Sequence, residues 1–145
     1  MLIDKPIERT LAVVGLAGVA LIHLLDLHDT YLAAPYKGWL YLALIAGSLA
    51  AAAALVRADD RRAWLAALVL PAGAFAAFVW SRTIGLPGGA DDIGNWWEPL
   101  GLASLFVEGA LVALSAAVLS TRAPATRTSL ADARRPRSAL RLDAR

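Results

Sequence analysis

Four apolar runs govern what this chain can fold into. Residues 11–27, 39–56, 63–84 and 97–119 carry almost no charge. Each falls within the range of about 17–25 residues that membrane-spanning helices use to cross a hydrocarbon core. Inside lipid a backbone has to satisfy its own hydrogen bonds, so each run predicts a membrane-spanning helix. The connections LHDTYLAAPYKG, RADDRR and GLPGGADDIGN are short, which makes consecutive spans antiparallel neighbours. The expected architecture is therefore all-α, an integral membrane four-helix bundle of up-down-up-down topology.

Composition agrees with the runs and removes some chemistry. With 59% hydrophobic residues the chain lies above the usual range of a soluble domain. It has no cysteine, so disulfides, thiolate metal sites and thiol nucleophiles are excluded. Met1 is the only methionine, which leaves no thioether pair for copper(I). The first run is read as a retained span and not as a cleaved leader. The small-residue sequence Leu32-Ala33-Ala34 is followed by Pro35, and the polar His23, Asp26, His28 and Asp29 sit badly in such a segment.

Basic residues set the expected orientation. Lys5 and Arg9 precede the first span, Arg57, Arg61 and Arg62 lie in the second connection, and seven arginines follow the last span. The other two connections hold only Lys37 and Arg82. The excess of positive charge puts both termini in the cytoplasm of a multi-pass cell-membrane protein. It puts the His/Asp connection and the GLPGGADD connection on the outer face. Residues 1–10 read as a cytoplasmic lead, 11–119 as the transmembrane domain and 120–145 as a disordered Arg-rich cytoplasmic tail. The tail's scattered arginines read as a topology signal. Attraction to anionic lipid, at about 1 kcal/mol per basic residue, is the alternative.

Three groups of residues carry potential chemistry. His23 and Asp26, three apart, share one helix face, with His28 and Asp29 just beyond. Imidazole nitrogen with carboxylate oxygen suits zinc or copper(II), so these four are the candidate metal ligands. The simpler reading gives His23 a carbonyl or carboxylate partner and leaves the others wetted. Glu108 lies mid-span, where an unpaired carboxylate is costly and is a functional-site hypothesis by default. Its candidate partners are His23 and Arg82, in proton or cation handling or in a structural interhelical hydrogen bond. Finally, Arg82 is the one guanidinium expected on the outer face, and a fork-shaped pair with Asp92 or Glu98 would clamp the outer connection. Asp91, Trp96 and Trp97 complete that connection, the tryptophans as an interfacial belt. Gly85, Gly88 and Gly89 provide turns, and Pro99 suits a first helical turn.

No Rossmann or phosphate-loop glycine pattern is present, and no internal repeat. Nothing marks an oxyanion hole for Ser81 and His23, so no catalytic motif identifies an enzyme. A haem held by two histidines would need His23 from two copies, and quinone stacking on the tryptophans has no separate support. The reading that follows is a non-enzymatic accessory or structural subunit docking a membrane-protein partner through its outer face; a homo-oligomer is the other association the small residues on the helices allow. The alternative is a small metal- or proton-handling protein using His23, Asp26 and Glu108. Nothing points to nucleic acid.

The run SRTIGLPGGADDIGNWWEPLGLASLFVEG, with IHLLDL and YKGWLYLALIAGS, resembles a group of small four-span integral membrane proteins of actinobacteria. The resemblance covers the spans and not the lead or the tail. It implies the membrane architecture and brings no activity or catalytic residue with it.

Overall fold

The computed structural model describes residues 5–122. The first four residues and residues 123–145, which include nearly all of the expected tail, lie outside the described residues. Four long helices make up the fold, and there are no strands among the described residues. They are α1 (Lys5–Ala33), α2 (Pro35–Arg57), α3 (Arg61–Thr83) and α4 (Pro99–Thr121), with a short 3₁₀ turn at Ala90–Asp92 between the last two. All four are long and apolar enough to cross a membrane, as in a multi-pass membrane protein.

The largest departure from expectation is the first connection. Residues 27–38 read as a loop, yet α1 runs to Ala33 and α2 begins at Pro35, with Ala34 alone between them. Nothing in LHDTYLA breaks a helix, so α1 continues until proline intervenes. The residue before a proline is driven out of the helical region, and Ala34 is extended, with φ −154° and ψ 100°. Pro35 then occupies the first turn of α2, where its missing N–H costs nothing. The N-terminal lead is also partly helical, since α1 starts at Lys5.

The other helix starts are capped by carboxylates. Asp60 Oδ1 accepts from the Ala63 amide at 2.8 Å and starts α3. Glu98 accepts from the Leu100 and Gly101 amides at 3.0 and 2.8 Å and starts α4 at Pro99, two residues later than the span boundary read from the sequence. α3 is continuous through Pro71, which is fully buried.

Each helix packs on two neighbours: α1 on α2 and α4, α3 on α2 and α4. The shared core is built from Ala12, Leu16 and Val19 of α1, Ala51 and Leu55 of α2, Trp64 and Ala67 of α3, and Leu111 and Val118 of α4. These positions recur at three- and four-residue spacing, one narrow stripe per helix. Small residues let the backbones approach. At Gly38 a β-carbon would collide with the Tyr31 side chain and come within 3.0 Å of its Cα, which fixes how closely α1 and α2 meet. Outside the stripes the helices present Leu25, Leu40 and Phe106, all exposed, so the outward surface is apolar as well.

Candidate functional site

One end of the bundle is closed by a polar clamp. Arg82, in the last turn of α3, is only 7% exposed. Its Nη1 donates to Asp92 Oδ1 at 2.7 Å and makes a longer bond to the Asp92 carbonyl at 3.4 Å. Its Nη2 lies 3.5 Å from Glu98 Oε2. The guanidinium sits over the Phe78 ring, 4.6 Å from the centroid, and Trp96 packs edge-on against the same ring. The sequence offered Asp92 or Glu98 as partner, and Arg82 takes both.

Lys37, in the first turn of α2, adds a contact that the sequence did not suggest. Its Nζ donates to Asp92 Oδ2 at 3.0 Å. Next to it, the Tyr36 hydroxyl donates to the Pro87 carbonyl at 2.7 Å. Asp92 is thus held by cations from two helices. Partial burial pushes its carboxyl up, but the hydrogen bonds and charges of Lys37 and Arg82 outweigh this and hold it below its usual value. The turn between α3 and α4 uses positive φ at Gly85, Gly88 and Gly94, whereas the expected third position, Gly89, has φ −137°. Trp97 stands on this clamped connection and is 85% exposed, and Asp91 within the 3₁₀ turn is exposed too.

A second polar group lies inside the bundle. Glu108 of α4 is 1% exposed. Its Oε1 accepts from Ser104 Oγ at 2.7 Å, one turn away on the same helix. His23 of α1 faces it, with Nε2 3.7 Å from Oε1. Of the two partners the sequence left open, Glu108 meets His23, and Arg82 is committed at the bundle end. The other nitrogen of His23, Nδ1, lies 2.9 Å from the Val19 carbonyl. The Tyr41 ring of α2 packs edge-on against the imidazole, with centroids 4.7 Å apart. The Tyr41 hydroxyl donates to Asp26 Oδ2 at 3.1 Å, and Thr30 donates to the same oxygen at 2.9 Å.

The four candidate metal ligands therefore go separate ways. His23 faces Glu108, Asp26 faces Tyr41 and Thr30, and His28 and Asp29 are exposed. Among the described residues no three His, Cys, Asp or Glu side chains converge as a metal ion requires. Ser81 donates to the Phe78 carbonyl at 2.8 Å, a local bond within α3.

The opposite end carries a clamp that sequence reasoning missed. Arg122, at the end of α4, donates to Asp59 at 2.6 Å and lies 3.7 Å from Glu8 of α1. It also covers the Trp64 ring, whose Nε1 donates to the same Asp59 oxygen. The hydrogen bond from Arg122 is the main influence holding Asp59 below its usual value. In the sequence Arg122 is one arginine of many. Only its place directly after an apolar run could have signalled a helix-end role.

No family model, no curated protein and no solved structure matches the chain.

Proposed function

We propose that this chain is a multi-pass protein of the cell membrane, with up-down-up-down topology and both termini in the cytoplasm. It acts as a non-enzymatic accessory or structural subunit that docks a membrane-protein partner through its outer face. The observation that carries the reading is the Arg82 end. There a nearly fully exposed Trp97 stands on a connection fixed by Arg82, Lys37 and Tyr36 from two other helices. A surface already ordered before contact loses little freedom on binding, so it binds more tightly than a floppy loop of the same composition. Tryptophan, with tyrosine and arginine, is also enriched at the energetic centres of interfaces.

Charge indicates the kind of partner. Asp92 and Glu98 are neutralised by Lys37 and Arg82, whereas Asp91 is exposed within the 3₁₀ turn, and Asp29 is exposed at the same end of the bundle. The fitting occupant is a membrane protein that presents an aromatic pocket rimmed by basic side chains. Replacing Trp97 by a photo-crosslinking aromatic residue in living cells tests this. A discrete protein adduct that disappears with Asp91→Lys supports docking. Adducts with lipid alone would reduce Trp97 to an interfacial anchor and overturn the proposal.

A further inference from the structure

We propose that His23 and Glu108 hold a single proton between them in the interior of the bundle, and that this proton exchanges with the Arg82 end of the molecule and not with the Arg122 end. The inference is independent of the docking surface and needs no partner.

The count of one proton follows from the hydrogen bonding of His23. A carbonyl oxygen can only accept, so Nδ1, at 2.9 Å from the Val19 carbonyl, carries a hydrogen. That fixes the tautomer and leaves Nε2 to face Glu108 Oε1 at 3.7 Å. With no proton between them, a carboxylate would confront the lone pair of a neutral imidazole, and one negative charge would sit uncompensated in an apolar interior. With two protons, an imidazolium would face a carboxylic acid, and one positive charge would be uncompensated. With one proton, the pair is either acid and imidazole or carboxylate and imidazolium. The two forms interconvert when the proton passes from carboxyl oxygen to the Nε2 lone pair, and neither carries net charge. At 3.7 Å the groups are in ion-pair contact, and closure by roughly 0.5–1 Å would bring them to hydrogen-bond distance. Glu108 Oε2 is buried without a partner. This makes a permanently bare carboxylate costlier still.

The direction of exchange follows from what lies on either side. Towards the Arg82 end, polar groups continue one turn away: Ser104 on α4, and Asp26 with Tyr41 and Thr30 between α1 and α2. Asp26 is only half-buried. Towards the Arg122 end, the interior side chains include Leu16, Leu55, Leu111, Val118 and Trp64, each at most 2% exposed. Two hydroxyls lie on that side as well, Ser48 and Ser115, but each is buried and bonded to nothing, so they form no hydrogen-bonded chain to the Arg122 end, and Trp64 Nε1 is already bound to Asp59. Of the titratable and charged groups facing the pair, Asp26 comes from α1 and Tyr41 from α2, Glu98 stands at the start of α4, and Arg82 from α3 and Lys37 from α2 are satisfied by Asp92 and Glu98. Among the described residues no fixed cation lies next to Glu108 to make the shared proton unnecessary.

The chain has just two histidines, one buried and one exposed, so the native full-length protein can be tested without mutation. In lipid, with histidine labelled by nitrogen-15, His23 should show a protonated Nδ1 throughout, with His28 as the exposed reference. The infrared spectrum should contain a protonated carboxyl band wherever His23 Nε2 is bare. Glu108→Gln should abolish the band and alter the Nε2 signal of His23 alone. A bare Nδ1, or a bare Nε2 without a protonated carboxyl, would overturn the shared proton even if the variant failed to accumulate. For direction, proteoliposomes of known orientation receive a pH jump from one side at a time. The infrared response should be at least tenfold faster from the Trp97 side, and equal rates from both sides would overturn one-sided exchange.

Discussion

Replacing Arg82 with alanine should release the connection between α3 and α4 while leaving the bundle assembled. The substitution removes a 2.7 Å charge-assisted bond to Asp92 and a 3.5 Å contact with Glu98. Hydrogen bonds to charged groups contribute about 1.5–3 kcal/mol. Both carboxylates are about one-third exposed, at 35% and 31%, so the lower half of that range applies. The guanidinium also stacks on Phe78 at 4.6 Å, worth roughly 0.5–1 kcal/mol. Lys37 keeps its hold on Asp92, which prevents complete release. The sum is about 2–3 kcal/mol, and at tenfold for about every 1.4 kcal/mol this is a roughly 30- to 150-fold rise in the opening equilibrium. Hydrogen exchange reads it directly at the amides of Asp92, Ile93 and Gly94, which bond to the carbonyls of Gly89, Ala90 and Arg82. Arg82→Lys should fall between, since it keeps the charge and loses the fork. A change below about threefold at these amides, or an equal rise throughout α1, would refute the clamp.

Other perturbations should act at defined places. Gly38→Ala should lower the apparent thermal midpoint in detergent by forcing α1 and α2 apart at Tyr31, at a cost of about 1–3 kcal/mol; an unchanged midpoint would show that Tyr31 yields freely. Trp64→Ala should cost about 3–5 kcal/mol, because the ring is fully buried and also supports Arg122 and Asp59. Acid should weaken both ends. Asp59 and Asp92 are held below their ordinary value of 3.8 when folded, so their contribution is complete above about pH 4 and is lost as pH falls through the lower folded values. Arg122→Gln should remove the part of this acid sensitivity due to Asp59, as followed by thermal midpoints between pH 3 and 6. Identical pH profiles for the variant and the native protein would contradict it.

What the sequence could and could not convey is clear from particular residues. The four spans were legible because apolar runs of that length admit few solutions in lipid. The place of Pro99 in the first turn of α4 was legible because a proline is tolerated in a helix only in its first turn or at a kink, whereas the Glu98 carboxylate that caps that turn was read only as a partner for Arg82. The end of α1 was not, since Leu27 to Ala33 carry polar side chains without a breaker, and helix continues wherever nothing stops it. Glu108 declared itself as a buried carboxylate, but choosing His23 over Arg82 depends on helix rotation and relative depth, which one sequence does not encode. Lys37 with Asp92 and Arg122 with Asp59 pair across 55 and 63 residues. No local pattern marks them, and only the packing of the helices brings them together.

In the proposed orientation the connection bearing Asp91 and Trp97 faces outward, opposite the Arg57–Arg62 connection. The absence of native cysteine makes the direct measurement simple. Ala90 and Ala58 are both exposed, so Ala90→Cys and Ala58→Cys can be treated in intact cells with a membrane-impermeant thiol reagent. The account predicts labelling of Ala90→Cys from outside and of Ala58→Cys only after the membrane is opened. The reverse pattern, or labelling of both from the same side, would contradict it.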